Sequence, residues 1–185
     1  MSTNAPPLAS RLLLGAFAGL AGTAAMTAAM GRLHRLLPEE DRYPLPPREI
    51  TERLAPALSG EQSLRDAALA AHFAYGAGAG ALLAAAAGRA GPPAGAAAGL
   101  AVWAASYFGW IPAFGALRPA DEHPPRRTAL MIGAHLVWGA VTGAALRELT
   151  AARARVLRGG PLRDAVQDGG ATSPSAPRPS HGESA

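Results

Sequence analysis

The chain has 185 residues, of which 49% are hydrophobic and 16% are charged, and its formal net charge is +4. This length suits one domain. The sequence has no cysteine, which excludes disulfides and thiolate chemistry. All 17 basic residues are arginine, a bias typical of a GC-rich bacterial genome. They lie in loops and in the tail, many beside acids, so the positive charge does not indicate a nucleic-acid-binding protein.

Four stretches contain no Asp, Glu, Lys or Arg, and each reaches or nearly reaches the roughly 18–20 apolar residues that cross a bilayer. A soluble Ala-rich helix would carry a charged residue on its outer face every three or four positions, and these stretches do not. They predict an all-α integral membrane protein with four transmembrane helices. The stretches are residues 12–30, 67–88, 90–117 and 128–146.

The segment between the first two stretches is polar and rich in proline. Residues 38–47 are predicted to form an acidic loop. Residues 48–58 are predicted to form a short helix on the membrane surface, because Ile50, Leu54 and Leu58 share one face. A comparable but shorter loop precedes the fourth membrane helix.

The end of the chain changes character after the fourth membrane helix. An Arg-rich stem continues to about residue 158. Beyond it, residues 159–185 are rich in Gly, Pro and Ser without an apolar pattern, so this tail is predicted to be disordered. Residues 1–158 then form the transmembrane domain.

Three motifs occur twice in the same order. GAFAGLA at 15–21 returns as GAAAGLA at 95–101, PPR at 46–48 returns at 124–126, and AHFAYGA at 71–77 returns as AHLVWGA at 134–140. Each copy holds two apolar stretches, so we predict two tandem repeats, about 12–88 and 90–147. An even number of helices per repeat places the pseudo-twofold axis along the membrane normal. A cleaved signal peptide is an alternative for the first stretch, but its sequence recurs in the third, where no signal belongs.

Two histidines lie within the predicted membrane helices at about the same depth. Gly76 and Gly80 follow His72 at four and eight residues, and Gly139 and Gly143 follow His135 in the same way. Each histidine therefore shares a helix face with a small-residue stripe, and the two stripes are expected to meet near the pseudo-twofold axis.

Three interpretations of His72 and His135 are open. They hold the bundle together through hydrogen bonds to a neighbouring helix, for example at Thr23, Thr27 or Ser106. They line a path for protons or a small solute. They bind a haem or a transition metal between two helices. No other metal-ligand pattern is recognisable.

Two further groups of residues have structural interpretations. The stripes in the first and third helices, Gly15 with Gly19 and Gly95 with Gly99, indicate close helix packing. Arg48 and Arg126 follow the paired prolines, where they are expected to stand at headgroup level and contact anionic lipid or the loop acids.

The run YPLPPR at 43–48 after a Gly/Ala-rich first helix, with GAHLVWG at 133–139 in the last helix, resembles the YagU-like family of small bacterial inner-membrane proteins of unknown function. The resemblance covers about residues 12–147. It implies a multi-pass bundle in the inner membrane and brings no catalytic residue to transfer.

The sequence contains no nucleophile elbow, phosphate-binding loop or HExxH motif. We therefore expect a non-enzymatic component of the bacterial inner membrane without a cofactor, with a transport or permeation unit as the first alternative and a haem or metal protein as the second. The lipid bilayer and further copies of the chain are the expected partners, since four thin helices leave little interior. The polar tail favours cytoplasmic termini, whereas the larger number of arginines in the two long loops favours cytoplasmic loops by the positive-inside rule. We expect cytoplasmic termini.

Overall fold

A computed structural model of the protein describes residues 7–88 and 90–160. Four helices within these residues are long and apolar enough to cross a membrane, which confirms the predicted all-α fold with four candidate spans. Of the predicted disordered tail, residues 161–185 lie outside the described residues. The helices are α1 (Leu8–His34), α2 (Pro46–Leu54), α3 (Glu61–Ala87), α4 (Pro92–Ala113) and α5 (Pro125–Arg155).

Paired prolines start three of these helices. Proline suits the first helical turn because its fixed φ is already helical and its missing N–H would have no partner there. Pro-Pro begins α2 and α4, and Pro125, the second proline of such a pair, begins α5. The predicted surface helix therefore starts earlier than expected, at Pro46, and ends at Leu54 rather than at residue 58.

Helix α4 is interrupted by a π-helical turn at Ser106–Trp110, where Gly109 has non-helical dihedrals of φ −115° and ψ −107°. Pro112 follows three residues later, and it has no N–H to donate to the carbonyl group one turn before it. The missing bond and the glycine together account for the local widening of the helix. The π turn carries Ser106, Tyr107 and Trp110 on the part of α4 that faces the centre of the bundle.

The helices pack as a ring that is open on one side. Among the described residues, the close helix contacts are α1 with α3, α1 with α5 and α4 with α5, while α2 packs on α3. The expectation that the histidine-bearing stripes of α3 and α5 meet each other is wrong. Each stripe packs on the glycine-bearing first helix of its own pair, since two backbones approach most closely where glycine faces glycine.

In the α1–α3 pair the backbones are in direct contact. A Cβ atom at Gly19 would overlap the carbonyl oxygen of Gly76, and a Cβ atom at Gly80 would overlap that of Gly15. Because the obstructing atoms at Gly15, Gly19 and Gly80 include the partner backbone, they have little freedom to move aside, and these three positions tolerate no side chain without separation of the two helices. At Gly76 a Cβ atom would instead overlap the side chain of Thr23.

The α4–α5 pair is built in the same way but with a different register. A Cβ atom at Gly139 would overlap the carbonyl oxygen of Gly95, and one at Gly99 would overlap that of His135. Thus Gly99 faces His135, whereas Gly19 faces a glycine one turn after His72. The buried glycines at these two crossings are Gly15, Gly19, Gly76, Gly80, Gly95, Gly99, Gly139 and Gly143.

The two ends of the bundle have different cores. At the end that holds the turn between α3 and α4, the core contains mainly small side chains with one large one, Leu146. At the end that holds the two long loops, larger side chains fill the core, among them Met26, Met30, Tyr107 and Trp138. The functional candidates described next all lie at this second end.

Candidate intramembrane binding cavity

A cavity of about 290 Å³ lies inside the loop end of the bundle. This volume is close to the lower bound of roughly 300 Å³ for small-molecule pockets. All five helices contribute to its wall, which is mainly apolar, and both intramembrane histidines belong to it. The sequence pattern identified His72 and His135, and the fold brings them to the same cavity.

The two histidines have different environments. His135 is buried, and its Nδ1 donates a hydrogen bond to the carbonyl oxygen of Met131 at 2.8 Å, which leaves Nε2 as the acceptor in the neutral ring. His72 is half-buried, and its Nε2 is a buried atom without a hydrogen-bond partner. The ring of His135 is thus held by its own helix, while the Nε2 atom of His72 has no hydrogen-bond partner.

The hydroxyl groups proposed as histidine partners bond elsewhere. Thr23 donates to the carbonyl oxygen of Gly19 at 2.8 Å, and Ser106 donates to that of Val102 at 2.7 Å. Thr27 likewise bonds within its own helix, to Thr23. The expectation that these side chains hold the histidines is therefore wrong, because a hydroxyl inside a helix finds a carbonyl of the preceding turn without crossing to a neighbour.

Two more residues of the cavity wall have unpartnered polar atoms. The hydroxyl of Tyr107 and the indole N–H of Trp138 are buried and have no hydrogen-bond partner within the described residues. The two residues are only 5% and 2% exposed, respectively. A buried polar group without a partner lowers the stability of the folded state by about 1–3 kcal/mol. With the Nε2 atom of His72, three such groups belong to the wall of one cavity, and their presence requires an explanation.

The cavity is covered only in part, by side chains, on the side between α3 and α4. The hydroxyl groups of Tyr75 and Ser106 are hydrogen-bonded at 2.8 Å, and the indole N–H of Trp110 reaches the Tyr75 oxygen at 3.4 Å. Tyr75 is 45% exposed. The two helices do not pack against each other closely along the described residues, so only side chains span the bundle on this side.

Helix α2 covers the loop end of the cavity with Ile50, Thr51 and Leu54. Its apolar face therefore packs on the bundle. Buried Arg127 at the start of α5 holds the segment in front of α2, because its guanidinium bonds the carbonyl oxygens of Tyr43, at 3.0 Å, and Pro44.

Arg127 makes two further contacts with this covering segment. It forms an ion pair with Glu49 at 3.1 Å and stacks on the Tyr43 ring, with 3.5 Å from Cζ to the ring centroid. Burial raises the pKa of the Tyr43 phenol, and the neighbouring guanidinium opposes that change. The sequence analysis missed Arg127, although the run Arg126-Arg127 at the start of an apolar stretch was a possible signal.

Arg48 and Arg126, the arginines of the two Pro-Pro-Arg motifs, have different environments in the structure. Arg48 ties α2 to α3 through Glu61, at 2.7 Å, and bonds Glu52 on its own helix, at 2.6 Å. These hydrogen bonds raise the pKa of Arg48. Arg126 is exposed, next to the buried Arg127. Arg48 thus pairs with acids of α2 and α3 rather than with the loop acids, and the buried anchor is one residue after the predicted one.

The chemistry available to the cavity is that of neutral hydrogen bonding. In the part of the chain that the structure describes, no Arg, Asp or Glu lines it, and no group of three or more His, Cys, Asp or Glu is placed to hold a metal ion. A permanent charge would be costly there, because the described wall offers two imidazoles but no permanently charged side chain to pair with it.

Comparisons with protein-family models, with curated proteins and with solved structures gave no match for this chain. The functional argument therefore depends on the cavity itself.

Proposed function

We propose that this protein is a non-enzymatic component of the bacterial inner membrane that binds a small, neutral, mainly apolar molecule inside its helix bundle. The observation that supports this proposal is the cavity of about 290 Å³. A space of this size, with an apolar wall and few polar groups, is typical of a ligand site.

The opening between α3 and α4 gives the route by which such a molecule reaches the cavity. Tyr75 is partly exposed there, and its side chain with that of Trp110 covers the gap. Rotation of these two side chains admits a lipid-soluble molecule directly from the bilayer. A neutral apolar ligand concentrates in the hydrocarbon phase, so lateral access suits its chemistry.

The opposite half of the bundle supports binding rather than passage. Below the cavity, a Cβ atom at Gly22 would overlap the carbonyl oxygen of Trp138, and Gly15 is in backbone contact with Gly80. Among the described residues, these contacts continue the close helix packing through the glycine end. A ligand that enters at the loop end therefore meets a closed floor.

The internal duplication is part of the proposal. Its support is that both helix pairs cross at glycines and that both long loops pass through an acidic 3₁₀ turn, Glu39–Asp41 and Ala120–Glu122, before the paired prolines. A tandem repeat of two helices gives a pseudo-twofold axis along the membrane normal. Oligomerisation and cytoplasmic termini stay predictions.

The binding proposal is tested by thermal unfolding with a simple apolar probe. Decylbenzene added to the purified protein in mild detergent should raise Tm, since a ligand at a hundred times its Kd stabilises the folded state by about 2.7 kcal/mol. Ala79 lines the cavity and Ala74, on the same helix, is exposed outside it. Ala79→Phe should abolish the shift, and Ala74→Phe should keep it. An equal shift in Tm for the parent protein and both variants would show that decylbenzene acts through the detergent and not by binding in the cavity.

Permeation is the second candidate, favoured by the presence of His72 and His135 on one cavity. The measurement is proton flux across proteoliposomes. A flux that the double substitution His72→Ala with His135→Ala removes, in a protein that still folds, would establish this function. Absence of flux in the parent protein would exclude it. The haem or metal interpretation is tested by an absorption spectrum and metal analysis of the same samples.

A further inference from the structure

The unpartnered polar atoms around the cavity indicate what kind of neutral molecule it binds. We propose that the ligand is a lipid-soluble carbonyl compound with a flat ring, of which a quinone is the fitting chemical type. This inference depends on the binding function proposed above and adds the chemical class of the ligand.

The first step of the argument is the donor set. The indole N–H of Trp138 can only donate, and the Tyr107 hydroxyl and the His72 imidazole can donate as well. All three atoms are buried and unpartnered within the described residues, and all three residues belong to the wall of one cavity. A ligand that carries acceptor oxygens gives these groups, after small side-chain rotations, the partners that the protein alone does not.

The second step is charge. Carboxylates and phosphates also accept hydrogen bonds, but no arginine lines the cavity in the described parts of the chain, and its two imidazoles, His72 and His135, carry no permanent charge. Burying an ionised acid without a cation is far more costly than burying a carbonyl group. The acceptor is therefore a neutral carbonyl oxygen.

The third step is shape. The side chains of Tyr75, Tyr107, Trp110 and Trp138 supply aromatic surface to the wall, and aromatic side chains pack favourably on flat rings in offset or edge-to-face arrangements. The gap between α3 and α4 leaves room for an alkyl or isoprenoid tail to extend into the bilayer. A ring with carbonyl groups inside and a tail outside satisfies all of these features.

The experiment compares two probes that differ only in the ring. A benzoquinone with a ten-carbon chain and decylbenzene are titrated into the purified protein, and their Kd values are obtained from the ligand dependence of Tm. We expect the quinone to bind at least tenfold more tightly, since one hydrogen bond to an otherwise unpaired buried group accounts for about a factor of ten.

Substitutions locate the effect. Trp138→Phe and Tyr107→Phe should each weaken quinone binding by about tenfold and leave decylbenzene binding unchanged. Trp103→Phe is the matched control, because its indole N–H is also buried and unpartnered but lies outside this cavity. Each variant loses only a polar atom or one ring, so melting without a probe verifies its fold.

The outcomes distinguish the two proposals. Equal affinity for the two probes, or an equal response of the Trp138 and Trp103 variants, would overturn the carbonyl assignment while leaving a binding cavity. Failure of both probes to shift the Tm of the parent protein would overturn the binding function and the ligand class together.

Discussion

The two ends of the helix bundle are built from different residues, and one end is closely packed while the other surrounds a cavity. At the turn end, glycines bring backbones into contact, as at Gly80 against Gly15, and the bundle is closed. At the loop end, large side chains such as Met26 and Trp138 hold the helices apart around a cavity. The difference teaches that close packing at one end fixes the helices firmly enough for the other end to stay hollow.

The largest effect is expected from a side chain at the closed end. Gly80→Leu should prevent α3 from closing on α1, because the new Cβ would overlap the backbone at Gly15 and Gly19. Overpacking typically costs about 1–3 kcal/mol and occasionally more, and a backbone obstacle that cannot move aside places this substitution above that range, so we expect Tm to fall by more than about 12 °C. The measurement is circular dichroism melting with gel filtration of the purified protein.

The control for this substitution lies two residues earlier on the same helix. A Cβ atom at Gly78 would meet nothing within 4 Å, so Gly78→Leu should give a folded, monodisperse protein with nearly the parent Tm. An equal loss of Tm in both variants would mean that leucine destabilises α3 at any position. The close glycine contacts would then not explain the effect of Gly80→Leu.

The next largest effect concerns the cover of the open end. Arg127→Met should cost about 3 kcal/mol, since it leaves Glu49 and the carbonyl groups of Tyr43 and Pro44 without their partner. At roughly 2–4 °C per kcal/mol, this corresponds to a drop of about 6–12 °C in Tm.

The neighbouring arginine provides the comparison for that variant. Arg126 is exposed, and Arg126→Met should leave Tm within about 1–2 °C of the parent, because exposed charges contribute little. Hydrogen exchange of residues 43–54 should rise only in the Arg127 variant. A larger fall in Tm from Arg126→Met than from Arg127→Met would show that Arg127 does not hold α2 and the segment in front of it over the cavity.

Filling the open end should have a smaller effect of opposite sign. Ala79→Phe places a ring in the cavity, and cavity-filling substitutions typically add about 0.5–2 kcal/mol of stability. We therefore expect Tm without a ligand to rise by a few degrees. A marked fall in Tm would indicate that the space around Ala79 is already filled.

The smallest effect is expected at the exposed tie between α2 and α3. Arg48→Gln removes ion pairs to Glu52 and Glu61 that are accessible to solvent. Such pairs are weak and screened by salt. The Tm of this variant should differ from that of the parent by a small amount that vanishes at high salt, and a difference that persists in 1 M salt would assign Arg48 a larger role.

Much of this architecture could be predicted from the sequence. Runs without charge predict the four spans, and glycines four residues apart predict close helix contacts, because both depend on local composition. The pairing of the stripes could not be predicted in the same way. Whether the stripe at Gly76 faces α1 or α5 depends on how each helix is rotated, and glycines offer no side chain that distinguishes one partner from another.

The candidate site was predicted in part. A sequence motif that occurs twice identified His72 and His135, but Trp138, Tyr107 and Arg127 belong to the site through tertiary packing alone. Neighbouring residues on a helix point about 100° apart, so Arg126 and Arg127 cannot be distinguished without the helix orientation.

The segment between α1 and α3 shows a second reason why the structure could be predicted only in part, since the two halves of the chain have linkers of different length. Pro46 precedes His72 by 26 residues, whereas Pro124 precedes His135 by 11. In the second half the paired prolines lead straight into α5. In the first half the additional residues let α2 end at Leu54 and cover the bundle before α3 begins.

The central claim is that the loop end contains a cavity open to lipid, and carbene photolabelling tests it most directly. A small neutral aryl diazirine is photolysed with the protein in liposomes, and labelled residues are mapped by mass spectrometry. We predict labelling of the buried wall residues Met26, Met30 and Met131, lost in Ala79→Phe and retained in Ala74→Phe, with lipid-facing Leu82 labelled throughout as the internal reference. Labelling confined to lipid-facing residues in the parent protein would contradict the account.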